Sequence, residues 1–222
     1  MFGRSIGARS EAPIALFGSI PLIWAEGNEL LLDAPPPWPR AVIESRGKPV
    51  PIDSLEVQNG RSPLAGINLL VLAQPRALGA QENVALDAWV RGGGKVLLLA
   101  DPMYTGHSAL ALGDPRRPQA IAMISPILAR WGLELEYDPD QPPGPRPASA
   151  MGTALSVNLA GRFVVKDPEN CRLWDNGLVA TCRIGKGRIF ALADASVIDP
   201  DDPSSENVAA LGGLLDAAFS VR

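Results

Sequence analysis

Residues 67–103 read INLLVLAQPRALGAQENVALDAWVRGGGKVLLLADPM. The apolar run at 69–72 is hydrophobic on both faces, as in a parallel strand that helices cover on each side. A predicted helix at 80–91 follows, with a stop at the three glycines 92–94 and a second apolar strand at 95–100. Two parallel strands joined by a crossover helix form a βαβ unit, so this stretch predicts an α/β fold.

The helix predicted at 80–91 carries an apolar face formed by Val84, Ala85, Ala88 and Trp89. Leu86 and Val90 form a flanking pair one helical turn apart. We therefore expect the face of Val84 and Ala88 to pack against the sheet, with Leu86 and Val90 at its border.

Short elements before this unit extend the same architecture. Residues 13–17 are apolar and bounded by Pro and Gly, which predicts a first buried strand. Residues 39–46 begin with a proline, as a short helix can. Residues 49–52 are predicted to form an edge strand, because their prolines cannot donate to a strand ladder.

The clearest boundary in the chain lies at residues 138–147, which hold five prolines and are predicted to form a surface loop. Antiparallel strands are predicted at 154–165 and in a hairpin at 171–184, before a last buried strand at 188–193. A final helix is predicted to begin at Asp202.

These elements predict an α/β fold of three layers with a mostly parallel sheet and an antiparallel β excursion in the C-terminal third. We predict a single α/β domain over residues 1–222, with a β-rich insertion at 138–187. The length suits one large domain of this class.

Composition excludes several function classes. The 222 residues are 46% hydrophobic with a net charge of −4, which argues against a nucleic-acid binder. No run approaches the roughly 18 apolar residues of a membrane-spanning helix, so no direct membrane insertion is predicted. Glu11 and Pro13 interrupt the apolar start, so we predict no signal peptide. The chain is predicted to be cytoplasmic, with extracytoplasmic placement left open.

The two cysteines are predicted to face each other across a hairpin. If Asn176 and Gly177 form a type I′ turn, Cys171 lies opposite Cys182. Counting from that turn makes them a hydrogen-bonded pair with Cα atoms about 5.5 Å apart. A disulfide is conceivable there, but two thiols in a sheet are the favoured interpretation.

Two aspartates follow buried strands, Asp101 in LLLAD and Asp194 in ALAD. Ligands of open α/β sheets bind at the carboxyl ends of the strands, so the two side chains could converge on one site. Paired carboxylates could hold Mg²⁺ or Ca²⁺, or act as an acid and a base. The alternative is that each aspartate caps the turn that follows it, and this alternative is favoured.

Four neighbours complete the candidate ligand-binding set: Tyr104 and His107 follow Asp101, and Ser196 and Asp199 follow Asp194. His107 is the only histidine, and no G-x-S-x-G elbow exists to partner it in a catalytic triad. A surface role for His107 is therefore favoured. No catalytic residue, metal site or cofactor is predicted.

The succession LLVLAQP, helix, WVRGGGKVLLLADP and GKGRIFALAD resembles a known domain type. It is the glutamine-amidotransferase-like domain of auxiliary proteins of uncharacterised ABC-type transport systems, which is similar to gliding-motility auxiliary proteins and to the N-terminal domain of an intraflagellar-transport subunit. The resemblance covers 13–102 and 188–219 but not 138–184. It implies a class I glutamine-amidotransferase-like fold.

The resemblance also implies that catalysis is absent. Amidotransferases of this fold carry a nucleophilic cysteine after the strand at 95–100, where this chain has Asp101-Pro102-Met103. It implies a non-catalytic binding or scaffold domain whose protein partners are transport-system components, with loops 18–37 and 138–147 as recognition surface. Homo-oligomers are compatible with this interpretation. The alternative is a metal-assisted hydrolase that uses Asp101 and Asp194.

Overall fold

A computed structural model of the chain describes residues 12–26 and 35–220. The start of the chain, for which no signal peptide is predicted, and part of the loop predicted at 18–37 lie outside these residues. The strands of the described part are β1 (Pro13–Gly18), β2 (Lys48–Pro51), β3 (Leu69–Ala73), β4 (Lys95–Leu99), β5 (Leu133–Glu136), β6 (Arg146–Ala150), β7 (Thr153–Val157), β8 (Arg162–Val165), β9 (Cys171–Trp174), β10 (Val179–Ile184) and β11 (Gly187–Leu192). Its α-helices are α1 (Trp38–Glu44), α2 (Ala80–Arg91), α3 (Ser125–Arg130) and α4 (Ser205–Phe219).

Seven strands form the central sheet, in the order β2-β1-β3-β4-β11-β10-β9. The ladders from β2 to β11 are parallel, and β10 pairs antiparallel with both β11 and β9. The βαβ unit predicted at 67–103 is β3, α2 and β4, whose register places Leu72 opposite Leu98. The predicted α/β class with a mostly parallel sheet is confirmed.

Successive residues along a strand pack alternately into two separate hydrophobic cores, one on each face of the sheet. Leu97 and Leu99 of β4 pack in the core that includes Leu211 and Leu214 of α4. Their neighbours Val96 and Leu98 pack in the opposite core with Leu86 of α2 and Ile127 of α3. The alternation follows from the two-residue period of a strand, and it makes the three layers that the sequence predicted.

The face by which α2 packs differs from the predicted one. Val84 is 53% exposed, whereas Leu86 and Val90 are fully buried. Glu82 and Asp87 are buried beside them, each in ion pairs with arginines. Because a carboxylate with hydrogen-bonded partners can be buried, hydrophobic spacing alone misplaced the helix face.

The edges of the main sheet are β2 and β9. Pro49 and Pro51 lie in β2, as the predicted edge position requires. At the other side, β9 and β10 extend the sheet antiparallel, while β5–β8 and β6–β7 form two small separate sheets. The description of 138–187 as an insertion in a single domain stays a prediction.

The hairpin of β9 and β10 has the predicted register, with Cys171 opposite Cys182. Asn176 has φ 56° and ψ 30°, Gly177 has φ 88°, and Leu178 N donates to the Asp175 carbonyl at 3.1 Å, which is type I′ turn geometry.

Two details of the cysteine prediction are wrong. The cysteines form a disulfide, and their Cα atoms are 4.1 Å apart, close to the spacing of a non-hydrogen-bonded pair. Asp175 also has a positive φ, 50°. Arg183 N donates to the Asn170 carbonyl at 2.9 Å, so the hydrogen-bonded pair is the one next to the cysteines, opposite to the predicted phase.

Candidate functional site

Asp101 and Asp194 lie side by side because β4 and β11 are neighbours, with Leu99 paired to Leu192. Asp101 comes two residues after β4 ends, and Asp194 two residues after β11 ends. Both side chains are fully buried. The predicted convergence at the strand ends is present, but in the interior and not in an open crevice.

The Asp101 carboxyl group is used within the protein. Its Oδ1 accepts a hydrogen bond from Met103 N at 2.7 Å, which caps the turn after β4. Its Oδ2 faces Ala195 N at 3.4 Å, which ties this turn to the chain that follows β11. Asp101 therefore connects two strand ends through backbone amides.

The Asp194 carboxylate has more donors. Its Oδ1 accepts from Ser196 N at 2.7 Å and from the Ser196 hydroxyl. Its Oδ2 accepts from Asn158 N at 3.0 Å, and the Asn158 side chain donates to Thr105 Oγ1 at 2.8 Å. Asp194 thus holds the loop after β7 against the end of β11.

The two carboxyl groups are electrostatically unequal. Burial, reinforced by the negative charge of Asp194, raises the pKa of Asp101 above its ordinary value. Burial also raises the pKa of Asp194, but the donors from Ser196 and Asn158 oppose this rise. Asp194, which accepts more hydrogen bonds, is therefore the member that carries the negative charge more readily, and Asp101 is the member that holds a proton more readily.

Gln74, at the end of β3, is a component that the sequence prediction missed. Its side-chain Oε1 accepts from Asp101 N at 2.8 Å, and its Nε2 donates to the carbonyls of Asp101 and Gln119 at 3.0 and 2.9 Å. It is fully buried and has φ 47°, which is uncommon for a residue other than glycine. Ser19 Oγ donates to the Gln74 carbonyl at 2.6 Å, so both its backbone and its side chain are held.

Replacing Gln74 by Ala should lower the free energy of unfolding by about 2 kcal/mol, because buried backbone groups of Asp101 and Gln119 would lose their partners. Chemical denaturation of both proteins measures the difference. Gln58→Ala, at an exposed position, is the matched control and should stay within about 0.5 kcal/mol of the native value. Equal stability of the Gln74→Ala and Gln58→Ala proteins would contradict the bridging role.

The six predicted ligand-binding residues do not share one site. Ser196 belongs to the buried pair through its bonds to Asp194. Tyr104 and His107 line a separate groove with Asp201. Asp199 does not line this groove, but its carbonyl accepts from Nε1 of Trp38, which does, at 2.8 Å. The sequence predicted a single crevice, whereas the structure has a buried carboxyl pair and a separate groove.

The prediction that the loop at 18–37 forms a recognition surface is wrong for three of its residues. Ile20, Leu22 and Ile23 are buried in a hydrophobic core, so these residues of the loop at 18–37 do not form a free surface. The loop at 138–147 is largely exposed, and Asp138, Pro139 and Asp140 face solvent.

The buried pair offers little to chemistry. The elbow after β4 holds Asp101-Pro102-Met103, and both of the chain's cysteines are in the disulfide, so no thiol nucleophile is available there. Within residues 12–26 and 35–220, no group of three His, Cys, Asp or Glu side chains could hold a metal ion. In the same part of the chain, no helix combines the length and hydrophobicity that a bilayer crossing needs.

Solved structures with the same fold include two glycosidases. The exo-β-1,4-mannosidase Op5Man5 from Opitutaceae bacterium strain TAV5 is 13% identical, with 96% of this chain and 37% of that chain covered and a TM-score of 0.55. A β-galactosidase from Rahnella sp. R3 is 14% identical, with 95% and 32% covered and a TM-score of 0.51. The chain spans about a third of the length of these enzymes, and the similarity shows the fold alone.

A ThuA-like protein from Parabacteroides merdae ATCC 43184 is 13% identical, with 95% of this chain and 90% of that chain covered and a TM-score of 0.42. A comparison with curated proteins found no match. Residues 33–140 match the sequence model of a family described as ABC-type uncharacterized transport system. Over this stretch, which contains β2, β3, α2 and β4, the chain is similar to that family, in agreement with the resemblance described for its sequence.

Proposed function

We propose that the chain is a non-catalytic binding or scaffold domain that is accessory to an ABC-type transport or membrane assembly system. The family match at 33–140 supports the association with such a system. The burial and the hydrogen bonds of Asp101 and Asp194 support the proposal that the domain is not catalytic. Both are fully buried and bonded to backbone amides at the strand ends where this fold keeps its chemistry.

Copurification with transport-system subunits tests the association. The protein would be expressed with the ATPase and permease subunits of an ABC-type transporter from its own organism. These subunits should stay bound to the affinity-tagged protein through detergent washing. A variant with 138–147 replaced by a Gly-Ser linker of equal length probes the exposed loop. If the folded native protein retains none of these subunits, the proposed association is wrong.

The hydrolase alternative has one observation in its favour, the raised pKa of Asp101 beside a second carboxylate. A hydrolase with a divalent ion at this pair should be stabilised by Mg²⁺, Ca²⁺ or Mn²⁺ through mass action. We expect no change in melting temperature with any of the three, because both carboxyl groups already accept hydrogen bonds inside the protein. A stabilisation that Asp101→Asn and Asp194→Asn abolish, but Asp140→Asn preserves, would support the hydrolase.

The disulfide indicates the kind of compartment in which the protein is located. Cys171 and Cys182 are 3% and 4% exposed, so the bond closes a buried position between β9 and β10. Disulfides persist in oxidising compartments and are rare in the cytosol. We therefore propose extracytoplasmic placement, in preference to the cytoplasmic placement that the sequence predicted.

A further inference from the structure

A groove of about 520 Å³ lies beside the end of β4, apart from the buried carboxyl pair. Its aromatic side chains are Trp38, Tyr104 and His107. Half of its lining residues in the described part are prolines: Pro21, Pro35, Pro36, Pro37, Pro118, Pro200 and Pro203. Because proline fixes φ, these walls lose little conformational entropy when a ligand binds.

The charge of the groove is negative. Glu26 lies on its wall, held by Ser108 Oγ at 2.6 Å and Ala109 N at 2.7 Å. Asp201 lies on its rim with a side chain that is 66% exposed, and His107 Nδ1 is 3.8 Å from its carboxylate. Among the described lining residues there is no lysine or arginine.

Tyr104 marks the inner part of the groove. It is 8% exposed, and its hydroxyl has no hydrogen-bond partner among the described residues. Burial, followed by the charges of Asp199 and other carboxylates, raises the pKa of Tyr104 above its ordinary value. The group therefore stays a neutral phenol, and a buried hydroxyl without a partner is unfavourable by about 1–3 kcal/mol.

The negative charge and the aromatic side chains of the groove favour a positively charged ligand. An anion would be repelled by Glu26 and Asp201, whereas a cation would be attracted by both. The N–H groups of an ammonium or guanidinium could donate to the exposed carboxylate of Asp201, and the aromatic faces of the groove attract such cations. Grooves with aromatic side chains recognise extended segments, because such segments lose little entropy on binding.

We propose that this groove binds an extended segment of a partner protein and takes an arginine or lysine side chain of that segment against Tyr104 and Asp201. That the partner belongs to a transport system rests on the proposed function. The preference for a cationic side chain rests on the carboxylates of Glu26 and Asp201 alone.

Isothermal titration with synthetic peptides tests the preference. The probes are Ac-Ala-Pro-Pro-Arg-Pro-Ala-NH₂ and the same peptide with Gln or Glu in place of Arg. The Arg peptide should bind about tenfold more tightly than the Gln peptide, because a charge-assisted hydrogen bond contributes more than a neutral one. The Glu peptide should show no binding.

Two variants locate the binding. Glu26→Gln keeps the size of the side chain and removes its charge, and it should weaken the Arg peptide by about two- to fivefold. Asp201→Asn should weaken it by about two- to fivefold, because this carboxylate is exposed. Asp140→Asn removes an equivalent charge from the loop at 138–147 and should leave binding unchanged. Circular dichroism of each variant checks that the fold is intact.

The proposal is overturned if the native protein binds no peptide, if the Arg and Gln peptides bind equally, or if Glu26→Gln and Asp201→Asn both bind like the native protein. These measurements use the purified chain without transport-system subunits. Loss of copurification with intact peptide binding would therefore contradict only the proposed function. Absent peptide binding with intact copurification would contradict only the proposed groove.

Discussion

Asp101→Asn should make the protein's stability less dependent on pH. Burial raises the pKa of Asp101 above its ordinary value of 3.8, so the folded state binds a proton that the unfolded state has released. Because the folded state binds more protons, its stability falls as the pH rises from about 4 into the neutral range. We expect the native protein to lose on the order of 3 kcal/mol over this interval. The Asn variant should lose less, with a remaining contribution from the buried carboxyl group of Asp194.

Denaturation with urea at several pH values between about 4 and 8 measures this effect. Asparagine keeps an oxygen that can accept from Met103 N, so the turn after β4 should persist. The Asn variant should therefore be more stable than the native protein at the upper end of the range. Asp140→Asn is the control, since this side chain is exposed. Parallel pH curves for native and Asp101→Asn proteins would show that the buried carboxyl group titrates normally.

Removing the disulfide should lower the free energy of unfolding by about 3 kcal/mol. Cys171 and Cys182 are 11 residues apart, and closing a loop of this size restricts the unfolded chain by about that amount. For a chain of this length the melting temperature should fall by roughly 6–12 °C. Calorimetry of the double variant Cys171→Ala/Cys182→Ala checks the prediction.

Reduction provides the matched control. Dithiothreitol should destabilise the native protein and leave the double variant unchanged, because the variant has no bond to reduce. Mass spectrometry after alkylation counts free thiols in protein purified from its own cells. Two alkylated cysteines before reduction would contradict both the bond and the extracytoplasmic placement.

Much of the fold was predictable because its signals are local. Two apolar runs joined by a helix predicted β3, α2 and β4, and the dipeptide Asn176-Gly177 predicted the register that pairs Cys171 with Cys182. The disulfide was not predicted, because the two residues do not reveal the redox state of their compartment. The buried face of α2 was missed because Asp87 finds its arginine partners only in the folded protein.

The candidate site was predictable only in part. The positions of Asp101 and Asp194 after buried strands predicted their convergence, but not their burial. Gln74 precedes a proline, and such residues favour extended backbone, so its left-handed conformation carried no local signal. The groove at Tyr104 depends on prolines from four separate parts of the chain, and only the tertiary structure brings these together.

The position of β11 in the sheet has a consequence for the order of synthesis. Lys95 of β4 pairs with Arg188 of β11. The central strand β4 is therefore synthesised long before the strand that pairs with it on this side. Until then β4 presents an apolar edge, and unpaired edges of this kind promote aggregation of nascent or partly folded chains. A fragment that stops at residue 140, where the family match ends, would keep that edge permanently. Expression trials should therefore extend through α4.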